Sequence, residues 1–347
     1  MKHIIFYLTF VFMVLFFALV QKNNSTIPTK EQNKVLKVFG YSTFTGRWGP
    51  GPQLKELFEK ECNCKVDYLE ASDSGILLQR LKVEGESLGV DVVVGLDQFD
   101  LAKANQDQKW KKLNLQGFDF LPNIQVLLGR SEFVPFDWGV MAFITRKGAV
   151  QDAIKSLDDL LKPEFINQIA LQDPRTSSPG LQLIYWLVQA KGEEKAFEFL
   201  ENLVKQAHSF SPSWSTAYGL FSQKKVQTVF SYSTSPLFHK IEEKDDGVVA
   251  LAFTEPHPVQ VEFVGVPDFC SSCDLAEKFV QKMLSPEGQK IIMEKNYMFP
   301  VIQKVKNQSP FDSVTELQMI EINTPSPVEI DRWLQKWSVL RRQTKVK

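Results

Sequence analysis

Three places in the sequence put hydroxyl or carboxyl side chains where a strand-like run gives way to a helix-like one: Ser72-Asp73-Ser74, Thr176-Ser177-Ser178-Pro179 and Ser233-Thr234-Ser235-Pro236. At such a junction the side-chain oxygens sit beside helix N–H groups that have no partner within the helix, and the helix dipole adds to their pull on an anion. Aromatic residues fall at the same kind of junction. Tyr41 and Trp48 follow the first strand-like run, Trp214 and Tyr218 lie in SWSTAYG, and Tyr232 immediately precedes Ser233. Rings placed beside Ser, Gly and Pro can stack on a flat heterocycle or hold a cation over their faces. Ordinary capping explains any one of these junctions. Three of them, with rings alongside and no glycine-rich phosphate loop, point to a site for a polar ligand.

The elements that must position these residues alternate between strand and helix, which argues for an α/β fold with largely parallel sheets. Residues 36–39 form a first strand, and Pro52 opens a helix in which Leu54, Leu57 and Phe58 share one face. A second strand over residues 66–69 leads to a helix carrying Ile76, Leu77 and Leu81, and residues 91–95 form a buried parallel strand. Residues 133–144 read as a long extended segment that crosses between two lobes, with residues 259–266 as the return crossing. A helix from Pro179 to about Ala190 is apolar nearly all round and therefore buried. Ligands in open α/β sheets gather beyond the carboxyl ends of the strands, where the three junctions lie. Trp110, Trp186, Trp333 and Trp337 fall in helical patterns and are assigned to packing or surface, and the basic surplus at the C-terminus reads as a solvated helix end.

Lys and Arg number 40 against 41 Asp and Glu in 347 residues, a balance that excludes a general nucleic-acid binder. Met1-Lys2-His3 and a predominantly apolar run over residues 4–20 have the form of a secretory signal, with an uncleaved anchor as the alternative. Export suits the four cysteines, Cys62-Asn63-Cys64 and Cys270-Ser271-Ser272-Cys273, as disulfides within or between the two pairs. A four-thiolate metal site is the competing reading. His3, His208, His239 and His257 show no zinc-hydrolase spacing, and neither a GxSxG elbow nor a Walker loop is present. No two of the seven tyrosines are neighbours, so a tyrosine-pair iron site is not expected.

In these features the chain resembles the periplasmic thiamine-binding proteins that serve ABC importers. The likeness runs over about residues 38–301, and several stretches in the same order carry it. They are residues 41–52 (YSTFTGRWGPGP), 62–64 (CNC), 91–97 (DVVVGLD), 133–139 (FVPFDWG), 172–181 (QDPRTSSPGL), 214–221 (WSTAYGLF) and 231–236 (SYSTSP). The resemblance implies a two-lobed type II periplasmic binding protein fold, each lobe a mostly parallel sheet flanked by helices, joined by crossing strands. Residues 1–24 would be signal peptide or anchor, residues 35–135 plus 260–299 lobe I, and residues 136–259 plus 300–347 lobe II.

The implied function is capture of thiamine, thiamine monophosphate and thiamine diphosphate in the periplasm by a monomer without a cofactor, and delivery to a membrane permease. The implied ligand-contacting residues are Asp73, Ser74, Ser177, Ser178, Trp214, Tyr232, Ser233, Thr234 and Ser235, with Tyr41 and Trp48 on the pocket wall. Rings such as Trp214 and Tyr232 would face the pyrimidine or the cationic thiazolium, and the hydroxyls would take a phosphate tail. Asp73 would pair with the cation or accept from the aminopyrimidine. Ser42 stands where the family pattern has Asp, and Phe238 and Tyr297 stand where relatives carry Tyr and Trp. Losing the hydroxyl at Phe238 removes one hydrogen bond, about 1 kcal/mol net. Two other functions share the fold: a thiaminase-like enzyme, which needs an unpaired cysteine thiolate in the cleft, and a binder of a different small solute.

Overall fold

The computed structural model describes residues 34–128, 132–148, 154–305 and 310–344, so the expected export segment lies outside the described residues. Among the described residues the strands are β1 (Lys34–Tyr41), β2 (Cys64–Ala71), β3 (Val92–Asp97), β4 (Val134–Arg146), β5 (Ile169–Gln172), β6 (Ser209–Ser211), β7 (Thr228–Tyr232), β8 (Val248–Ala250), β9 (Val259–Gly265) and β10 (Phe299–Pro300). Of the helices, α1 (Ser42–Thr45), α2 (Gly51–Cys62), α3 (Ser74–Glu84), α4 (Leu101–Asp107) and α5 (Pro122–Gln125) belong to the first part of the chain. Next come α6 (Ser178–Lys191), α7 (Glu193–Gln206), α8 (Trp214–Ser222) and α9 (Ser235–Phe238). The chain then forms α10 (Cys273–Leu284), α11 (Pro286–Asn296) and α12 (Pro327–Thr344).

The strands join in the order β2-β1-β3-β9-β4-β7-β5-β6, with β8 and β10 also pairing to β4. Pairing is parallel between β1 and β3, β5 and β7, and β5 and β6. It is antiparallel wherever β4 or β9 takes part. The 13-residue β4 is the shared strand: its first half pairs with β9, and its second half pairs with β7. Its length and its nearly unbroken apolar run make it a strand buried on both faces and continuous through both parts of the sheet.

Alternation along β4 decides which core each side chain enters. Met141 and Phe143 point into a cluster with Ile169, Leu171, Phe230 and helices α6 and α7, whereas Val140, Ala142 and Ile144 point to the opposite face with Ala170, Val229 and α8. A separate cluster holds β1, β3, β9, α2, α10 and α11 around Phe39, Phe58, Phe263 and Phe279. In the cluster that Met141 and Phe143 enter, Trp186 lies fully buried with its centroid 5.5 Å from Phe253, 6.0 Å from Phe143 and 6.1 Å from Phe230. The high phenylalanine count is largely explained by these interiors.

The cysteines pair within each motif, Cys62 with Cys64 and Cys270 with Cys273, which leaves neither a link between the motifs nor a four-thiolate metal site. Buried Asp91 ties the second disulfide loop to β1, since its carboxylate accepts from the backbone N–H of Lys37, Ser271 and Ser272 at 2.8–2.9 Å. The C-terminal helix departs from the solvated end expected of it. Ile330, Trp333, Trp337 and Leu340 face the core around Phe143 and Trp186, and the basic residues Arg332 and Lys336 both bind Glu193 on α7. Charge counting could not reveal an apolar stripe lying between the basic positions.

Phe230→Ala should destabilise the protein by about 3–5 kcal/mol, the range for large aromatic truncations in a close-packed core. Trp48→Ala, at a ring that is 78% exposed, should change stability by less than about 0.5 kcal/mol. Urea denaturation of the two variants measures both.

Candidate functional site

A cavity of about 680 Å³ opens beyond the ends of β1, β3 and β7, within the size range of small-molecule sites. Tyr41, Trp48, Asp73, Ser74, Ser178, Trp214, Tyr232, Thr234 and Ser235 all line it. Ser177 and Ser233 do not. Ser177 is buried behind the wall, and Ser233 faces a smaller apolar cavity beside Trp138 and Phe299.

Asp73 is the N-cap of α3, and its Oδ1 accepts the Ser74 N–H at 2.8 Å. Its Oδ2 accepts from the Trp214 N–H and the Ser177 hydroxyl, each at 2.9 Å. One carboxylate therefore satisfies the first N–H of α3 and of α8, two donors that helix geometry leaves open. Next to it the hydroxyls of Ser74 and Ser178 meet at 2.6 Å, joining the start of α6 to the same knot. Gly75 is required there: a Cβ would lie 2.7 Å from the carbonyl carbon and oxygen of Thr176, closer than side chains come to backbone. Both Asp73 oxygens are thus committed to protein donors, so the residue acts first as a joint between the starts of α3 and α8 and the residue before α6. Burial pushes its pKa up, against the hydrogen bonds from Trp214, Ser177 and Ser74 that favour the charge.

The aromatic wall has its own support. Trp214 and Tyr218 stack with centroids 4.7 Å apart and planes at 21°. The Trp214 indole N–H donates to Ser231 Oγ at 2.9 Å, and Ser231 Oγ lies 2.8 Å from Ser235 Oγ. Tyr218 Oη is 2.9 Å from Nε2 of buried His239, whose Nδ1 is 2.6 Å from Glu243. Both ring planes are therefore held by hydrogen bonds as well as by contact. Phe238 and Tyr297 also line the cavity, at 88° to one another and 5.7 Å apart, and Tyr297 Oη donates to Glu242. Tyr297 sits at φ 53°, a left-handed conformation uncommon for an aromatic residue, which turns its ring out of α11 toward the cavity. Arg47 stands over the exposed Trp48 ring at 4.9 Å, at the rim.

A third feature is a row of acids. Asp97 on β3 and Asp137 on β4 both lie opposite Glu262 on the intervening β9, so three carboxyls stand side by side across neighbouring strands. They are 1%, 0% and 7% exposed respectively. Tyr41 Oη donates to Glu262 Oε2 at 2.5 Å, Gln260 Nε2 donates to Glu262 Oε1 at 3.2 Å, and Asn296 Nδ2 donates to Tyr41 Oη and to Asp137 Oδ2. Burial, with repulsion among the acids, pushes Glu262 up to about 7 and Asp137 well above the usual carboxylate range; burial pushes Asp97 up to about 6. Glu262, Gln260 and Asn296 line the cavity, as does Gly95, whose φ of +102° and missing Cβ leave room for the Tyr41 ring. Tyr232 stands near both polar regions, since Glu262 and then Asp73 add to the burial that raises its pKa.

The sequence reading missed Tyr218 as a supporting ring held by His239, and it missed the acidic row. A usable signal was present for the acids: DVVVGLD, VPFDWGV and VQVEFVG are predominantly apolar runs that carry Asp97, Asp137 and Glu262, where an unpaired charge is costly and so points to a purpose.

A profile of the bacterial extracellular solute-binding proteins matches residues 53–318. The thiamine-binding periplasmic protein of Escherichia coli (strain K12) is 36% identical over 305 residues, covering 87% of this chain and 92% of the relative. That of Brucella suis biovar 1 is 34% identical over 315 residues, covering 89% and 93%. Among solved structures, a periplasmic thiamin binding protein superposes with a TM-score of 0.80 at 32% identity, covering 91% of this chain and 99% of the other.

Asp73→Ala should lower stability by about 2–3 kcal/mol, because it leaves the Trp214 N–H and the Ser177 hydroxyl buried without their charged acceptor. Chemical denaturation measures this. A separate expectation concerns pH. Glu262 is raised from 4.5 to about 7 in the fold, so the folded chain binds this proton more tightly than the unfolded one. The stabilisation is complete below about pH 4.5 and fades as pH rises through about 7. The melting temperature of the ligand-free protein should therefore fall across that window.

Proposed function

The chain belongs to the bacterial extracellular solute-binding proteins and has their two-lobed type II periplasmic binding protein fold, and from that premise we propose that its cavity captures thiamine for an ABC importer. The observation that carries the reading is the composition of one cavity: stacked rings, a hydroxyl-rich end and the Glu262 carboxyl, with Asp97 and Asp137 behind it. Thiamine has a matching set of groups. Its flat aminopyrimidine and its cationic thiazolium suit the faces of Trp214, Tyr232 and Tyr297, with cation–π attraction of about 0.5–2 kcal/mol per ring. Its hydroxyethyl arm, or the phosphate of the mono- and diphosphate, suits the hydroxyls of Ser74, Ser178, Thr234 and Ser235. Thr234 is fully buried and its Oγ1 has no partner within the protein, so a ligand oxygen at that end gains a donor that is otherwise unsatisfied. The curated relatives at 34–36% identity carry thiamine binding in their names.

In this reading the protein works in the periplasm as a monomer, uses no cofactor and hands unaltered ligand to a membrane permease after the lobes open. Two-lobed binders close by hinge motion around the ligand. The joint at Asp73 and the Ser74–Ser178 contact supply the bonds that such closure makes. The disulfides weigh against a thiaminase-like enzyme, since all four cysteines are engaged in them and none offers a thiolate nucleophile.

Trp214→Ala should weaken thiamine binding at least tenfold in titration calorimetry, about 1.4 kcal/mol. An unchanged dissociation constant removes the ring from the site. Mass spectrometry of thiamine after incubation with the protein should return the intact vitamin, whereas a cleaved pyrimidine or a protein adduct contradicts a pure carrier.

A further inference from the structure

The acidic row makes a demand that its own neighbours do not meet. Glu262 and Asp137 lie directly opposite one another on β9 and β4, and the side chains that bond to them are Tyr41, Gln260 and Asn296, all neutral. Asp137 Oδ1 is buried and has no partner. Among the described residues no Lys or Arg forms an ion pair with either acid, the cavity-lining Arg47 and Lys295 included. Two ionised carboxylates in that setting repel each other without compensation, so Asp137, sealed at 0% exposure, keeps its proton and Glu262 is the acid of the pair that can ionise. Of the two, only Glu262 reaches the cavity.

A second observation points from this wall to a ligand. Gln260 lines the cavity at 2% exposure, spends its Nε2 on Glu262, and leaves Oε1 buried without a donor. An acceptor beside a carboxyl that can become negative is a site for an organic cation that also carries an N–H group. Resting on the thiamine reading above, we propose that Glu262 is the residue that selects for positive charge in the ligand, and that it releases a proton to solvent when the cation binds. The balance is simple: the protonated carboxyl and the cation give a carboxylate facing the cation, and the proton passes to water. Gln260 Oε1 accepts from the ligand's amino group at the same wall.

The groups facing Glu262 are Tyr41 from β1, Asp97 from β3, Asp137 from β4, Tyr232 from β7, Asp73 at the cap of α3 and Asn296 from α11. Burial raises the nearby acids as well, Asp97 to about 6 and Asp137 well above the usual carboxylate range, and the two tyrosines stay neutral because burial raises both. Glu262 itself is pushed up to about 7, which places its ionisation within reach of neutral pH. The bound cation favours the ionised form, so affinity rises with pH up to that value and levels off above it.

The test is calorimetry of the wild-type protein with thiamine between about pH 6 and 8.5, run at each pH in two buffers of different ionisation enthalpy so that proton release is counted directly. The expected result is release of about half a proton per thiamine near pH 7, falling toward zero by pH 8.5, with affinity climbing several-fold from the acid end. Glu262→Gln should bind at least tenfold more weakly at the alkaline end and show no slope and no proton release. Should that variant fail to fold, the wild-type proton count decides by itself. Tight thiamine binding with no proton released overturns the role of Glu262 and leaves the thiamine reading standing, as does a Glu262→Gln variant that keeps the wild-type pH slope. Absence of thiamine binding at every pH overturns both.

Discussion

The geometry of the cleft depends on one carboxylate placed where three helices begin. Asp73 caps its own helix, takes the first N–H of the helix that starts at Trp214 and binds the hydroxyl that precedes the helix starting at Ser178. These contacts bridge more than a hundred residues of chain. They bring the backbone at Gly75 against that at Thr176, where no side chain fits, and that approach sets the spacing between the hydroxyl-rich end and the aromatic wall. Without the carboxylate the positive ends of two helix dipoles would face each other with no compensating charge.

The cleft has opposite chemical characters at its two polar regions, and the fold supplies each by a different route. Helix starts and their hydroxyls make the donor-rich end, which suits oxygens and phosphate. Strands make the acidic region, because Asp97, Glu262 and Asp137 occupy facing positions on three adjacent strands and Glu262 presents it to the cleft. Such acids are unfavourable in an interior unless a proton or a cation accompanies them. A ligand with a positive ring and a polar arm satisfies both regions at once. The rings held between them, Trp214 on Tyr218 above all, give it a flat surface with limited freedom to adapt.

Much of the architecture was legible because it rests on local signals. Pro52, Pro179 and Pro236 marked helix starts; Asp73 marked a cap; and the long run from residue 133 marked a strand that serves both lobes. The hydroxyl and aromatic residues of the cleft could be found at strand ends for the same reason. What stayed hidden came from distant pairings. The role of Asp73 as a joint needs Ser177 and Trp214 to be beside it, and the acidic row needs the register of three strands. The burial of Trp333 and Trp337 needs the α7 surface that receives them. Ser177 and Ser233 show the converse limit, since neighbours in sequence at a helix start face different sides of the wall, and only Ser178, Thr234 and Ser235 reach the cavity.

The account stands or falls on the identity of the captured solute. Native mass spectrometry of the purified full chain, recorded before and after addition of one equivalent of thiamine, reads that identity directly. The account predicts a single ligand per chain with the mass of thiamine or one of its phosphates, released intact on denaturation. A different co-purified solute that thiamine fails to displace, or a protein that remains bare with thiamine present, would contradict it.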